Sequence, residues 1–127
     1  MQLLLLPEHY AICRLAPASE FPMWGIGASL WSLTRTADET SLVCAESGMP
    51  AETGAVVVSR GWRALRVAGS MDLGMVGVMA QLSSALAAAG VAIFVIATYD
   101  TDYLLVRADD LDHSLATLES VGYAVTR

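Results

Sequence analysis

Lysine is missing from this chain of 127 residues, whose seven basic residues are all arginine. Without lysine, a Walker phosphate loop, a pyridoxal Schiff base and a lysine nucleophile are all excluded. Positive charge is also scarce, because thirteen acidic residues leave a net charge of −6. Nonspecific nucleic-acid affinity comes mainly from basic side chains that release counterions, so we do not expect nucleic acid as a partner.

Cysteine and long apolar runs are scarce as well. Cys13 and Cys44 have neither CxxC nor Cys/His ligand spacing, so we expect buried, reduced thiols and a cytoplasmic protein rather than a disulfide or a zinc site. The apolar run Leu3–Leu6 is short and has no basic region before it, and later apolar runs are interrupted by Ser, Asp and Gly. We therefore expect neither a signal peptide nor a membrane span.

The chain has only two histidines. We expect His113 on a polar helix face beside Asp109–Asp112, where it is solvated, and His9 in an edge segment, where it needs no role. Paired-His, His-x-Glu and Gly-x-Ser-x-Gly motifs are absent from the sequence. An enzyme would need an acid/base pair such as Asp102 with His113, which makes catalysis a minor alternative.

An internal repeat organises what is present. The segment Leu30–Val43 aligns with Ile93–Val106 at an offset of 63 residues, and each predicts a strand, a polar turn and a second strand. In this alignment Glu39 is the counterpart of Asp102. Upstream, Arg14–Ala16 resembles Arg66–Ala68 at an offset of 52, so the first copy has lost about one helix.

The second copy has the clearer pattern, in the order strand, helix, strand, strand, helix, strand. We predict strands at Trp62–Val67, Val91–Tyr99, Asp102–Ala108 and up to Thr126, and helices at Leu73–Ala89 and at about Asp110–Val121, with Gly90 and Gly122 closing them. The first copy keeps this order with stunted helices around Ala18–Trp24 and Pro50–Thr53 and a closing strand at Gly54–Val57.

This order predicts an α+β fold of two ferredoxin-like βαββαβ modules, each an antiparallel sheet with its helices on one face. We place the N-terminal module at residues 1–60 and the C-terminal module at residues 61–127. A module of about 60 residues with a missing helix buries little surface, so we expect the two modules to share a continuous sheet or core.

Two segments of the second copy could bind a small molecule. Gly69, Gly74 and Gly77 stand at the predicted junction of strand and helix, where backbone N–H groups suit a carboxylate. The alternative is that Gly74 and Gly77 only allow close helix packing. The hairpin tip holds Asp100, which fits an ordinary turn residue, and Asp102.

Asp102 is harder to explain by turn formation, because it begins the returning strand and aspartate has poor strand propensity. A bound ammonium group would stabilise the Asp102 carboxylate at the start of this strand. A helix N-terminus for a carboxylate and Asp102 for an ammonium together suit a zwitterionic amino acid. Calcium is a rival ligand for paired aspartates, but the Asp-x-Asp-x-Asp-Gly pattern is absent and we expect no metal.

Four segments of the chain are distinctive: Trp31–Val43, Gly61–Arg63, GSMDLGMVGV at 69–78 and IFVIATYDTDYLLV at 93–106. In these segments the chain resembles the small ACT-domain proteins, amino-acid sensors of bacteria that are similar to the ACT units of cytosolic arginine sensors in animals.

That resemblance implies two ACT units, amino-acid binding where modules meet, and regulation rather than turnover. It also implies backbone contacts from Asp72, Leu73, Gly74, Met75 and Val76, and a pocket lined by Ile96, Ala97, Thr98, Tyr99 and Asp102. Asp102 matches the aspartate of a Thr-Asp pair that contacts ligand in the arginine-binding relatives.

We therefore expect a non-enzymatic regulatory sensor without a cofactor, which binds a free amino acid, forms a homodimer and signals to an unidentified regulated protein. The alternative is an ACT-type interaction or dimerisation module whose ligand site is vestigial.

Overall fold

The structure is a computed structural model that describes residues 2–27, 29–68 and 77–127. The chain divides into an N-terminal unit, Glu8–Trp62, and a C-terminal unit made of Met1–Pro7 and Arg63–Arg127. The strands are β1 (Gln2–Leu5), β2 (Tyr10–Leu15), β3 (Ser32–Arg35), β4 (Thr40–Ala45), β5 (Val57–Val67), β6 (Ile93–Ala97), β7 (Asp102–Arg107) and β8 (Ala124–Thr126), and the helices are α1 (Val78–Ala88) and α2 (Leu111–Ser120).

The N-terminal unit is an antiparallel sheet in the order β3-β4-β2-β5. This is the strand order of a ferredoxin-like module, as predicted. Its first helix is reduced to one 3-10 turn, Met23–Gly25, within the predicted region. The second stunted helix was misplaced: the 3-10 turn is Glu46–Gly48, and residues 50–53 are not helical. The Thr53 hydroxyl accepts the Ala55 N–H at 3.1 Å, a local bond that competes with helix formation.

The C-terminal unit contains the order β6-β7-β5-β1-β8 and both α-helices. Strand β1 comes from the start of the chain. It pairs with β5 in the antiparallel direction and with β8 in the parallel direction. Residues Met1–Pro7 thus group with Arg63–Arg127, and the pairing of β1 with β8 is parallel, whereas we expected antiparallel sheets. Leu3 is 1% exposed in the core of this unit, and burial of its side chain stabilises the added strand.

Strand β5 is longer than the strand predicted at Trp62–Val67, and it absorbs the closing strand predicted at Gly54–Val57. It pairs with β2 through Val57–Trp62 and with β1 through Leu65–Val67. Gly61, which lies between the two strands that we predicted, has φ +78° and lies where the pairing with β2 shifts register. A glycine there accommodates a β-bulge, so the strand continues.

The core of the C-terminal unit lies between the sheet and one face of each helix. Alternate strand residues Leu65 and Val67, and Leu104 and Val106, point to this side. The predicted helix stripes are confirmed where the structure describes them, and their buried members are Leu82, Leu86, Leu111, Leu115 and Leu118. Helix α1 was predicted from Leu73, and residues 73–76 lie outside the described residues.

The core of the N-terminal unit is smaller and contains both cysteines. Cys13 and Cys44 are free and buried, as predicted. They share a hydrophobic cluster with Ala11, Leu15 and Leu42. A hydrogen bond with Cys13 and then burial raise the pKa of the Cys44 thiol, so this thiol stays protonated.

In the described ranges, no helix has both the length and the apolar character that crossing a membrane requires.

Candidate functional site

The hairpin tip between β6 and β7 is held by the Thr98 side chain. The Thr98 N–H donates to the Thr101 carbonyl at 2.8 Å, and the Thr98 hydroxyl donates to the same carbonyl at 2.9 Å. The Thr98 hydroxyl also accepts the Thr101 N–H at 3.2 Å. Tyr99 and Asp100 occupy the middle of the turn and are exposed. Asp100 therefore sits in the turn as predicted, but threonine supplies the turn's hydrogen bonds.

Thr101 ties this tip to the end of β5. It is 4% exposed, and its hydroxyl donates to the Val67 carbonyl at 2.8 Å. Val67 ends β5, and the chain runs from there through Ala68 into residues 69–76. Sequence reasoning missed Thr101, because its partner lies 34 residues away and no local pattern marks the pair. The bond fixes the start of β7 beside the end of β5.

Asp102 follows as the first residue of β7. It pairs with Ala97 across the hairpin and lies two and four residues before the core residues Leu104 and Val106. Because side chains alternate along a strand, Asp102 is on the helix-bearing face of the sheet. It is half-buried, and within the described ranges its carboxylate has no hydrogen bond or ion pair. Partial burial without a partner leaves it able to receive a cationic group.

The other predicted pocket residues are distributed over the tip. Ala97 is on the same face as Asp102 and is exposed, and Tyr99 is 78% exposed. Ile96 pairs with Tyr103, so the structure places it on the opposite face from Asp102. The structure thus brings Ala97, Thr98 and Asp102 together, but not Ile96. The predicted backbone contacts Asp72, Leu73, Gly74, Met75 and Val76 lie outside the described residues.

Gly77 ends the junction and precedes α1. Its φ is +87°, a left-handed conformation that favours glycine, and an added Cβ would meet no atom within 4 Å. Close packing therefore does not explain this glycine, which corrects the alternative we gave for it. Gly69 and Gly74 lie outside the described residues.

The hairpin of the N-terminal unit has a matching tip, which corrects the repeat offset. The Thr36 N–H donates to the Glu39 carbonyl at 2.9 Å, and the Thr36 hydroxyl accepts the Glu39 N–H at 3.1 Å. Thr36 therefore matches Thr98, and the offset is 62, not 63. A shift of one residue in the alignment of a strand assigns every side chain to the opposite face of the sheet. Asp102 is thus matched by Thr40, not by Glu39 as predicted.

Thr40 is fully buried and accepts the Arg35 Nε–H at 2.9 Å, while its own hydroxyl donates to the Pro17 carbonyl at 3.3 Å. The position that holds a carboxylate without a partner among the described residues of the C-terminal unit thus holds a satisfied hydroxyl in the N-terminal unit. The two tips share a backbone design but differ in charge.

His113 is exposed, and its Nε2 lies 3.2 Å from the Ala89 carbonyl, next to the end of α1. This contact links α2 to α1, whereas the sequence suggested only solvation. Over the described parts of the chain, no three His, Cys, Asp or Glu side chains come together in a group able to hold a metal ion.

Comparisons with solved structures show what this chain is similar to. An X-ray structure of protein Atu0741 from Agobacterium tumefaciens is 33% identical, covers 98% of this chain and 91% of its own, and has a TM-score of 0.90. A Vibrio cholerae protein of unknown function, described as a possible transport protein, is 19% identical, covers 94% and 88%, and has a TM-score of 0.72.

The regulatory subunit of aspartate kinase from Thermus flavus shares the fold at 13% identity, with coverage of 94% and 96% and a TM-score of 0.66. None of the curated proteins matches the chain. A model described as an N-terminal domain matches residues 8–52, and a model described as an ACT domain matches residues 57–120. With half of its length matched by that second model, the chain belongs to the ACT-domain family.

Proposed function

We propose that this protein is a regulatory protein that binds a free amino acid at the tip of the C-terminal unit and catalyses no reaction. The observation that carries the proposal is Asp102, a half-buried carboxylate without a partner in the described ranges, on a strand that Thr101 anchors. An α-ammonium group is the natural partner for such a carboxylate, because charge-assisted hydrogen bonds are stronger than neutral ones.

The sequence supports a complementary site for the α-carboxylate in residues 72–76, because Gly74 lies among them and Gly69 and Gly77 flank them in the sequence. Thr101 bonds Val67, which lies a few residues before that segment in the sequence. A carboxylate-binding segment and the Asp102 carboxylate would together suit a zwitterion. The similarity to an aspartate kinase regulatory subunit supports regulation as the consequence of binding.

A thermal-shift panel of the twenty common amino acids tests whether any of them binds. Free ligand at about 100 times its dissociation constant should add about 2.7 kcal/mol of stability to the native state. A response to one amino acid or a small group supports a sensor. No response to any of the twenty would refute binding and favour the alternative, an ACT-type interaction module.

The Asp102→Asn variant tests the assigned residue. Because a hydrogen bond to a charged group contributes about 1.5–3 kcal/mol, we expect the affinity for the amino acid to fall at least tenfold. Asp100→Asn is the matched control, since it removes the same charge from the exposed turn two residues away. Equal affinity in the parent and the Asp102→Asn variant would show that Asp102 is not the ammonium partner.

We also propose a homodimer in the cytoplasm that acts on a separate regulated protein. Two free, buried thiols support a reducing compartment. Exposed aromatic side chains support association: Phe21 and Trp31 are 45% and 38% exposed and stack edge to face with centroids 6.3 Å apart. Sedimentation equilibrium tests the dimer, and a monomer at all concentrations would refute it.

A further inference from the structure

A cavity lies in the N-terminal unit, away from its hairpin tip. It is found where β2 and β3 begin and β4 ends, whereas the tip at Thr36–Glu39 is at the other end of the hairpin. Its volume is about 270 Å³, just below the range of pockets that hold drug-sized ligands, so it suits a small metabolite. Its lining includes Glu8, Trp24, Gly25, Ser29 and Gly48.

The shortened helix shapes this cavity. Between the first and second strands of the repeat, the C-terminal unit has the eleven-residue helix α1, and the N-terminal unit has only the turn Met23–Gly25. An added Cβ at Gly25 would lie 2.7 Å from Leu42 Cδ2, and one at Gly48 would lie 3.3 Å from the Trp24 carbonyl oxygen. The two 3-10 turns are therefore packed closely against the core and against each other, which defines the walls.

A chain of hydrogen bonds ends on a carboxylate in this cavity. The Ser29 hydroxyl donates to Glu8 Oε1 at 3.2 Å, and the Tyr10 hydroxyl lies 3.3 Å from Ser29 Oγ. Because Ser29 has one proton and gives it to Glu8, the Tyr10 hydroxyl is the donor to Ser29. Tyr10 is fully buried, so the chain is anchored in the interior of the unit.

Glu8 is half-buried, and among the described residues no arginine or histidine pairs with it. The Glu8 carboxylate would repel an anion. A neutral ligand would displace water from the carboxylate without neutralising its negative charge. A cation satisfies the carboxylate. Trp24, whose side chain packs against the core of the unit, is among the lining residues. We propose that this cavity binds the protonated primary amine of a small metabolite, with Glu8 as its counter-charge.

Three probes of one shape test the charge preference: n-butylammonium, n-butanol and butyrate. The readout is the indole N–H resonance of Trp24 in a titration of the full chain, with the resonances of Trp31 and Trp62 as internal references. We expect n-butylammonium to shift the Trp24 signal saturably, and the other two probes to leave it in place. Equal responses to butyrate or n-butanol, or equal shifts of all three tryptophans, would overturn the proposal.

The Glu8→Gln variant should weaken n-butylammonium binding at least tenfold, and Ser29→Ala should weaken it less, because it only frees the carboxylate from its positioning bond. Glu20→Gln is the control, since Glu20 is exposed and outside the lining residues. Unchanged binding in Glu8→Gln would overturn the assignment. If Glu8→Gln does not fold, the three-probe comparison on the parent protein still decides.

The test is separate from that of the amino-acid site. Asp102→Asn should leave the Trp24 response to n-butylammonium unchanged, and Glu8→Gln should leave the Asp102-dependent thermal shift unchanged. Loss of the Trp24 response in Asp102→Asn would contradict an independent amine site.

Discussion

Replacing Thr101 with valine removes one hydroxyl from the point where the hairpin tip meets the end of β5. Valine keeps the shape of threonine, so the substitution leaves no cavity. It deprives the Val67 carbonyl of the hydrogen bond that it accepts at 2.8 Å. Because Thr101 is only 4% exposed, a water molecule has little access to the Val67 carbonyl and does not replace the lost bond.

The expected loss of stability follows from this geometry. A typical intramolecular hydrogen bond contributes about 0.5–1.5 kcal/mol, and a buried acceptor left without a partner costs about 1–3 kcal/mol. We expect the free energy of unfolding to fall by about 1–2 kcal/mol. Because the bond also positions the strand that begins with Asp102, the affinity for the amino acid should fall as well.

Urea unfolding followed by far-ultraviolet circular dichroism measures the change. Thr34→Val is the control, since Thr34 is an exposed strand residue, and a surface substitution of this kind changes stability by less than about 0.5 kcal/mol. If Thr101→Val were as stable as the parent, or no less stable than Thr34→Val, the hydroxyl would not anchor the tip.

Two further predictions concern the N-terminal unit. In Gly25→Ala, the new Cβ would lie 2.7 Å from Leu42 Cδ2 in the core, so urea unfolding should show a loss of about 1–3 kcal/mol, and a neutral outcome would mean that the turn can move away from Leu42. The raised pKa of the Cys44 thiol leaves it protonated at pH 8, so it should react with a disulfide reagent far more slowly in the folded protein than in urea. Equal rates in the two states would contradict the burial of that thiol.

Elements with a strong local pattern were predictable from the sequence. Helix α2 carries Leu111, Leu115 and Leu118 at helical spacing, and all three are buried. Gly90 and Gly122 follow the two helices as predicted. The hairpin of the C-terminal unit was also correct, because a polar break between two apolar runs is typical of a turn.

The errors arose where pairing partners are distant along the chain. Nothing local to β1 indicates that it pairs with β5 and β8, since its short leucine run fits any buried segment. The break expected near Gly61 is a β-bulge, which a single sequence does not distinguish from a turn. The repeat offset was wrong by one because leucine and valine occur in succession on both faces of β4 and β7, so the alternation that sets register is weak there.

Only part of the candidate site was predictable, because some of its contacts also join residues that are distant along the chain. Asp102 was identified because an aspartate at the start of an apolar strand is unusual. Its anchor Thr101 was not identified, because the bond to Val67 joins distant parts of the chain. Ile96 was assigned by resemblance to a pocket, although the alternation of side chains places it on the other face of the sheet.

The amide resonances that respond to the stabilising amino acid locate its binding site. Binding at Asp102 should shift the resonances of Ala68 and Thr98–Asp102, which share one end of the C-terminal sheet, and these shifts should disappear in Asp102→Asn. Shifts confined to other parts of the chain, or the same map in Asp102→Asn as in the parent, would contradict binding at Asp102.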